Sequence, residues 1–301
     1  MSTLRELSEA SSLGQPLAAQ SASAARRRRK PITVGDVVRH VLVVAAFIIV
    51  AFPLFWLVSL AFKTDADAFT SPPTILFRPS LIQFQNLFDT WPFPLYYRNS
   101  LIVLFGCLTV SIALALPLAY ALARFRWRRK NDISFYIVSQ LMLPPAAVGV
   151  PFYLLCEQLG ILRTLWAPML VYVTFALPFI AWIMKGFFES LPPEIEEAGL
   201  VDGAGRFQVL WYIVLPLSMG SLFSTTMLAV ITLWNEFLFA FMLTGADTYT
   251  APVGLVGLRS WFQSNWGQIG AGGLMIALPM VVVGFIVQRY LVRGLTFGAV
   301  K

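Results

Sequence analysis

Residues 197–203, Glu197-Ala198-Gly199-Leu200-Val201-Asp202-Gly203, lie between two long apolar runs, and Ile213-Val214-Leu215-Pro216 follows after nine residues. They belong to a polar, helix-prone segment of about thirty residues that extends from Lys185 to Pro216. Two neighbouring helices in a bundle need a connection of only about 2–8 residues. A segment this much longer is therefore expected to bind another protein.

The composition around this segment indicates that lipid is the solvent for much of the surface. Of the 301 residues, 58% are hydrophobic and 12% are charged, against about 25% charged in an average soluble domain. Six apolar runs are long enough to cross a hydrocarbon core, which requires about 20 residues. They are Val41–Phe62, Leu101–Ala123, Ile133–Cys156, Leu165–Met184, Leu217–Leu243 and Ile269–Gln288. The composition thus predicts an all-α polytopic membrane protein with six transmembrane helices.

The distribution of basic residues predicts the orientation. With six crossings, 17 of the 22 Lys and Arg residues fall on the side of the N-terminus, including the run from Arg26 to Lys30. Cytoplasmic loops carry such an excess, so both termini are predicted to lie inside. The net charge of +7 is then an orientation signal, and no nucleic-acid partner is expected. Residues 1–34 are predicted to be a disordered basic cytoplasmic tail, and residues 35–301 a single transmembrane domain.

The segment between the fourth and fifth runs is predicted to contain a short cytoplasmic helix. Proline is tolerated in the first helical turn, so Leu191-Pro192-Pro193 is a suitable start. Three glutamates follow in the opening turns, where the helix dipole favours negative charge. They are Glu194, Glu196 and Glu197. Gly203 and Gly205 are expected to end the helix.

Ile195, Ala198 and Val201 recur every three residues and predict one apolar face on this helix. Two interpretations of the acids beside it are open. The acids combine with the small residues into a knob that docks into a cleft of a soluble partner, or they only stabilise the start of a surface helix and contact nothing.

Glu197-Ala198-Gly199, then Gly203, then Ile213-x-Leu215-Pro216 resemble the EAA signature of the permease subunits of bacterial ABC importers. The match departs from Glu-Ala-Ala at Gly199, which is smaller than alanine and has a lower helix propensity. Three further stretches resemble the carbohydrate-uptake branch of that family and, within it, maltose-transporter permeases. These stretches are Leu159–Trp166, Trp234–Phe237 and Gly294–Lys301. The likeness covers about residues 35–301.

The resemblance implies a coupling role for the loop helix, which in this family inserts into a groove of the ATP-hydrolysing subunit. Glu197 would pair with a basic residue of that subunit, and Gly203 would permit the bend. The coupling residues predicted in this way are Glu197, Ala198, Gly199, Asp202, Gly203, Ile213, Leu215 and Pro216. A second docking contact is implied for the C-terminal residues Thr296, Gly298 and Lys301.

The resemblance also implies the partners and the location. They are two ATP-binding subunits, a second permease subunit that is expected to be a different chain, and an extracellular or periplasmic solute-binding protein. The chain is expected in the bacterial plasma (inner) membrane, in contact with lipid.

ATP and magnesium are expected on the ATPase subunits. None of the five lysines of this chain follows a glycine, as the lysine of a phosphate-binding loop does. The sequence also contains no recognisable metal-ligand cluster or nucleophile–base pair. The chain is therefore predicted to bind no cofactor or metal of its own and not to be an enzyme.

Glu236 is the only charged residue within the six runs, and a charge in hydrocarbon is costly and often marks a transport path. A sugar is bound well by an aromatic face beside amide and carboxylate groups, which Trp234, Asn235 and Glu236 supply. Gln140 of the third run is a further candidate. Alternatively, Glu236 is an interface anchor at the end of its helix.

The predicted function is the transmembrane permease subunit of an ATP-driven, binding-protein-dependent sugar importer, forming half of the translocation pathway. Three alternatives are open. They are a permease subunit for another solute, such as a glycerophosphodiester or an amino acid, a self-contained secondary transporter, and an integral membrane enzyme. Intramembrane ion pairs or inverted repeats would favour the secondary transporter.

Overall fold

The computed structural model describes residues 34–68, 70–258 and 266–297, the last range with side chains up to residue 288. Every regular element within these ranges is helical, which agrees with the predicted all-α class. The helices are α1 (Val34–Phe62), α2 (Asp65–Ala68), α3 (Ile82–Thr90), α4 (Phe93–Arg124), α5 (Lys130–Gln140), α6 (Pro145–Gln158), α7 (Trp166–Ser190), α8 (Pro193–Val201), α9 (Arg206–Leu217), α10 (Met219–Trp234), α11 (Leu238–Leu243), α12 (Ala251–Gly257) and α13 (Trp266–Phe297). The predicted tail, residues 1–34, lies almost wholly outside the described residues.

The chain divides into two compact units, Met1–Leu54 and Phe55–Lys301. The described part of the first unit is the N-terminal part of α1, whose long apolar side chains are exposed. A helix that is apolar all round and not covered by protein is typical of a segment that faces lipid. The helices from α2 to α13 all belong to the second unit.

Four helices are long and apolar enough to cross a membrane: α1, α4, α7 and the part of α13 from Trp266 to Gln288. Two further pairs pass the same test together but are sharply bent, α5 with α6 by 94° and α9 with α10 by 79°. The described residues thus contain four to six candidate spans. The third and fifth apolar runs are predicted as single helices, and the structure corrects this, because each is broken. The inside location of both termini stays a prediction.

Prolines break the third run. α5 ends at Gln140 and α6 begins at Pro145, although the sequence predicts one helix over Ile133–Cys156. Pro144 has an extended backbone, with φ −67° and ψ 126°, because a proline disfavours the helical conformation of the residue before it. Pro145 is accommodated as the first residue of α6, where its missing N–H has no partner to lose.

The fifth run is interrupted twice. α9 contains a π-helical turn over Leu210–Val214 and ends before Ser218, whose backbone has φ −96° and ψ 0°. α10 ends at Trp234, and three non-helical residues separate it from α11. The predicted single helix Leu217–Leu243 is therefore replaced by α10, a short break that contains Glu236, and α11.

α4 and α7 pack closely against each other and form much of the core. Gly106 of α4 permits this approach, since a Cβ there would lie 2.5 Å from Met169 Cε and 2.8 Å from Met169 Sδ. Small residues at such contacts are typical of membrane helices, whose backbones can then come close. Both helices continue beyond their apolar runs, α4 to Arg124 and α7 to Ser190. The polar segment after α7 consequently lies beside the end of α4.

Candidate coupling site

α8, which lies between α7 and α9, is the short helix that the sequence predicts. Pro192 precedes it with φ −57° and ψ 126°, and Pro193 is its first residue. Gly203 has a φ of +88°, the left-handed conformation that glycine adopts without steric cost, and it ends the helix. The amide of Ala204 then donates a hydrogen bond to the carbonyl oxygen of Gly199 at 3.1 Å. α8 and α9 therefore form a helix–turn–helix.

α8 has one buried face and one exposed face. Glu196 and Gly199 are buried, whereas Val201 is 87% exposed and Ile195 is 40% exposed. The predicted apolar face, formed by Ile195, Ala198 and Val201, therefore lies on the exposed side of the helix rather than against the rest of the chain.

The carboxylate of Glu196 connects α8 to the end of α4. Its Oε1 accepts a hydrogen bond from Arg124 Nε at 2.6 Å, and its Oε2 accepts one from the Tyr120 hydroxyl at 2.9 Å. Arg124 Nη2 also donates to the carbonyl oxygen of Leu191 at 3.0 Å, in the linker before α8. From the sequence, Glu196 is only an acid in the first turns of a helix, because its arginine partner is 72 residues away.

Gly199 packs inside the helix–turn–helix. A Cβ at this position would collide with Ile213 Cδ1 and would lie 3.5 Å from Val209 Cγ2. The residue that departs from the Glu-Ala-Ala pattern therefore makes room for Ile213 of α9. Its contribution to partner docking stays a prediction, and the role visible in the chain itself is the close approach of α8 to α9.

The arm that follows the turn also contacts the end of α4. The guanidinium carbon of Arg206 lies 5.2 Å from the centroid of the Phe125 ring, a cation–π contact. The Phe125 ring meets the Tyr120 ring edge-on, with centroids 6.3 Å apart. The amide of Gly205 donates to Gln208 Oε1 at 2.7 Å, and this bond stabilises the start of α9. Both arms of the helix–turn–helix are thereby held at one place.

The exposed surface of this element contains four of the predicted coupling residues, Glu197, Ala198, Asp202 and Gly203. Within the described part of the chain, the carboxylates of Glu197 and Asp202 take part in no hydrogen bond or ion pair. An unpaired carboxylate beside a small side chain is available to a cationic group of another molecule. This is the chemistry that the structure places on the outer face of α8.

The last three predicted coupling residues belong to α9. Ile213 is half-buried against Gly199, Leu215 is buried, and Pro216 is exposed near the end of the helix. Ile213 and Leu215 therefore contribute to the packing of the helix–turn–helix, and only Pro216 lies on its surface.

A second ionic group lies near the end of α7. Glu189 Oε1 is 3.0 Å from Lys185 Nζ and 3.7 Å from Lys130 Nζ, so the group connects the last turns of α7 to the start of α5. The side chain of Glu189 is 40% exposed. The carboxylate of Glu189 is therefore more open to water than that of Glu196, whose side chain is 6% exposed.

The predicted substrate residues lie at the break between α10 and α11. Glu236 Oε2 accepts a hydrogen bond from the Tyr172 hydroxyl at 2.6 Å. The two carboxylate oxygens of Glu236 also accept from the backbone amides of Phe239 at 3.0 Å and Ala240 at 3.3 Å. These amides begin α11 and have no intrahelical partner. Glu236 therefore caps α11 and connects it to α7.

Trp234 lies beside this break and is turned inward. It is 3% exposed, its indole N–H donates to the carbonyl oxygen of Ile276 at 3.0 Å, and its ring meets the Tyr97 ring edge-on at 5.4 Å. Asn235 is exposed and donates its side-chain amide to the backbone of α10. The structure thus brings Trp234 and Glu236 together, but both are engaged in contacts within the chain.

Gln140 lies apart from this group, as the half-buried last residue of α5. Beside that end lies a cavity of about 220 Å³ between the α5–α6 break, α7 and α10. Its lining is apolar except for Thr232 and includes Leu141, Leu143, Phe175, Phe179 and Leu233. Such a lining offers few hydrogen-bonding groups to a polar solute.

Of the three predicted C-terminal docking residues, only Thr296 lies within the described part of the chain. Thr296 is the residue before the last of α13, and Gly298 and Lys301 lie outside the described residues. Their docking role stays a prediction.

The architecture is that of a polytopic helical membrane protein. It contains apolar helices long enough to span a membrane, two bent helix pairs and an acidic helix–turn–helix beside the end of α4. Residues 111–297 match the model of the family described as "Binding-protein-dependent transport system inner membrane component". The Probable ABC transporter permease protein y4oR of Sinorhizobium fredii is 37% identical over 250 residues, 83% of this chain and 90% of that protein. The Trehalose/maltose transport system permease protein MalG of Thermococcus litoralis is 30% identical over 274 residues, 88% of this chain and 98% of that protein. The chain therefore belongs to this family of inner membrane components.

The fold also resembles a solved structure, a bacterial ABC transporter involved in the import of the acidic polysaccharide alginate. The TM-score is 0.72, with 23% sequence identity, over 88% of this chain and 99% of that chain. At this identity the comparison concerns the fold alone.

The family membership makes the chain a permease subunit of a binding-protein-dependent ABC importer, which is a non-enzymatic transport subunit. This confirms the resemblance drawn from the EAA-like motif and the prediction that the chain is not an enzyme. It also excludes two of the alternatives, a self-contained secondary transporter and an integral membrane enzyme.

Proposed function

We propose that this permease subunit belongs to an ATP-driven sugar importer of the bacterial inner membrane and that an ATPase subunit binds it at α8. The division of α8 into two faces carries the proposal. Glu196 and Gly199 attach the helix to its own chain, while Glu197, Ala198 and Asp202 remain exposed. A helix that is held on one face and uncovered on the other suits docking into a groove of a partner.

The chemistry of the exposed face indicates what the groove would contain. Ala198 allows a partner backbone to approach, and Val201, 87% exposed, supplies an apolar contact. The carboxylate of Glu197 would accept a charge-assisted hydrogen bond from an Arg or Lys of the ATPase subunit. Such a contact fixes register and specificity more than raw affinity.

A sugar is the proposed solute. Support comes from the similarity to the trehalose/maltose permease of Thermococcus litoralis and from the stretches that resemble the carbohydrate-uptake branch. Trp234, Asn235, Glu236 and Gln140 remain the candidates for contacts along the path. Trp234 and Glu236 would contribute only in a conformation in which they exchange their present contacts for contacts with the solute.

The proposed complex contains a second permease subunit, two ATP-binding subunits that hold ATP and magnesium, and a solute-binding protein outside. ATP binding would close the ATPase subunits, their closure would move α8, and the paired permeases would change from inward- to outward-facing. Both termini are inside in this arrangement. Thr296, Gly298 and Lys301 would then add a second contact with the ATPase subunits.

The substitution Glu197→Lys tests the docking. A lysine would face the basic residue expected on the ATPase subunit, and a like-charge contact costs several kcal/mol. We expect copurification of the ATPase subunit to fall by about tenfold or more, since 1.4 kcal/mol corresponds to tenfold in affinity. Asp132→Lys makes the same charge change at an exposed position of α5, outside the proposed docking face, and is the matched control. Normal copurification with Glu197→Lys would refute the docking role.

Ligand screening of the associated solute-binding protein tests the substrate class. Thermal unfolding would be followed with trehalose, maltose, glycerophosphocholine and single amino acids. A rise in the unfolding midpoint with a saccharide alone is expected, because a ligand that binds only the folded state stabilises it. A rise only with glycerophosphocholine or an amino acid would contradict the sugar assignment and leave the docking proposal unaffected.

A further inference from the structure

We propose that Glu196, Arg124 and Tyr120 form a latch that carries the movement of α8 into α4. Glu196 is then a positioning residue for ATP-driven transport, distinct from Glu197, which faces the partner. The inference rests on the proposed docking of an ATPase subunit at α8.

The covalent connections of α8 are poor transmitters of movement. On one side the helix follows the extended backbone at Pro192, and on the other it ends at Gly203 with a φ of +88°. Neither linker continues the hydrogen-bonded ladder of a helix, and linkers of this kind absorb displacement as changes in φ and ψ. Movement of α8 therefore has to reach the transmembrane helices through side-chain contacts.

The latch supplies such contacts in a rigid form. Arg124 donates through Nε to Glu196 Oε1 at 2.6 Å and through Nη2 to the carbonyl oxygen of Leu191 at 3.0 Å, so one planar guanidinium holds both the helix and its linker. The Tyr120 hydroxyl adds a third hydrogen bond at 2.9 Å. The Arg124 and Glu196 side chains are 13% and 6% exposed, so water competes little for these bonds.

The helix that receives the movement extends far from the latch. α4 has 32 residues, which corresponds to about 48 Å at 1.5 Å per residue. Near its other end, Asn99 Nδ2 donates to the carbonyl oxygens of Asp247 at 3.0 Å and Tyr249 at 3.1 Å, and Ser100 Oγ accepts from the amide of Ala251 at 2.8 Å. α4 thus connects the docking helix at one end to the segment between α11 and α12 at the other.

The second arm of the helix–turn–helix supports the same assignment. Arg206, which opens α9, lies over the Phe125 ring, and that ring packs against Tyr120 of the latch. Because both arms meet the end of α4, a displacement of either arm acts on α4. The ionic group at Glu189 joins α5 to α7 instead.

The test compares the assembled importer carrying Glu196→Gln with the parent and with Glu194→Gln, which removes the same charge from an exposed position of α8. Hydrogen–deuterium exchange is measured with and without ATP and vanadate, so no transported solute is needed. We expect the ATP-dependent change in exchange to persist in α8 of the Glu196→Gln complex and to be lost in residues 117–124 of α4. Copurification of the ATPase subunit should be retained, and Glu194→Gln should behave as the parent.

The charge-swapped pair Glu196→Arg with Arg124→Glu should restore the change in α4 at least in part. An unaltered ATP-dependent change in α4 of Glu196→Gln overturns the latch. So does failure of both Glu196→Gln and the swapped pair to assemble, because the pair would then serve only to hold the fold. Failure of the proposed docking would appear differently, as normal ATPase copurification by Glu197→Lys.

Discussion

Two regions of the molecule pair a glutamate with a tyrosine hydroxyl, yet the other partners of the two carboxylates differ. At α8, Glu196 accepts from Tyr120 at 2.9 Å and from the charged Arg124 at 2.6 Å. At the α10–α11 break, Glu236 accepts from Tyr172 at 2.6 Å and from two backbone amides. The first carboxylate joins two separate elements through side chains, and the second completes the backbone of a broken span.

The difference extends to the neighbouring residues. Beside Glu196, Glu197 is exposed, and its carboxylate has no partner among the residues that the structure describes. Beside Glu236, Trp234 is 3% exposed and donates a hydrogen bond to the backbone of α13. The α8 region therefore combines an internal anchor with an external surface. In the α10–α11 region, the carboxylate of Glu236 is hydrogen-bonded within the chain. A polar residue in a membrane span can therefore stabilise the backbone without contacting a solute.

The largest expected effect is at Glu236. Glu236→Ala leaves the Tyr172 hydroxyl and two amides of α11 without their acceptor, so we expect the free energy of unfolding to fall by about 2–3 kcal/mol. Thermal or denaturant unfolding of the full chain in detergent measures this. Asn235→Ala, at the exposed neighbour, is the control and should change it little. A fully stable Glu236→Ala that has lost uptake would instead make Glu236 a substrate group.

Removal of either tyrosine hydroxyl is expected to lower the free energy of unfolding by an intermediate amount, and the two losses compare the two glutamates directly. Tyr172→Phe should cost about 0.6–1.7 kcal/mol, the range for hydrogen bonds between membrane helices. Tyr120→Phe should cost less, because the Tyr120–Glu196 hydrogen bond is longer, at 2.9 Å, than the Tyr172–Glu236 bond, at 2.6 Å. The same unfolding measurement applied to both variants tests the order. An equal or larger loss for Tyr120→Phe would show that the two carboxylates are held in the same way.

The smallest effect on stability is expected at Glu197. Glu197→Ala removes a carboxylate with no partner in the described part of the chain, so the unfolding midpoint should stay at the parental value. Binding of the ATPase subunit should weaken at the same time. Stability and copurification measured on one preparation separate the two roles, and a destabilised Glu197→Ala would mean that its side chain is an internal contact.

Much of the fold follows from local sequence. Apolar runs of about 20 residues predict membrane helices, and Leu191-Pro192-Pro193 and Gly203 predict the two ends of α8, where the structure has them. The break in the third run could have been predicted in the same way, since Pro144 and Pro145 stand in the middle of that run. The break after Trp234 has no such local signal, because it depends on amides of α11 that bond to Glu236 and on Tyr172 from another helix.

At the candidate coupling site, too, the sequence predicts one part and only the structure shows the other. The EAA-like motif locates it and names Glu197, but helical spacing alone does not tell which side of α8 meets the chain. Gly199 resembles a docking residue in the motif and is packed against Ile213 in the structure. Glu196 has no motif to mark it.

The amino-acid sequence by itself determined the helical membrane class, the family and the position of the short acidic helix, because periodicity, proline and glycine act within a few residues. Only the tertiary structure decided that Glu196 faces Arg124 while Glu197 faces outward, and that Glu236 caps a helix. Those contacts join residues as many as 76 positions apart, and only the packing of α4, α7 and α8 brings them within hydrogen-bonding distance.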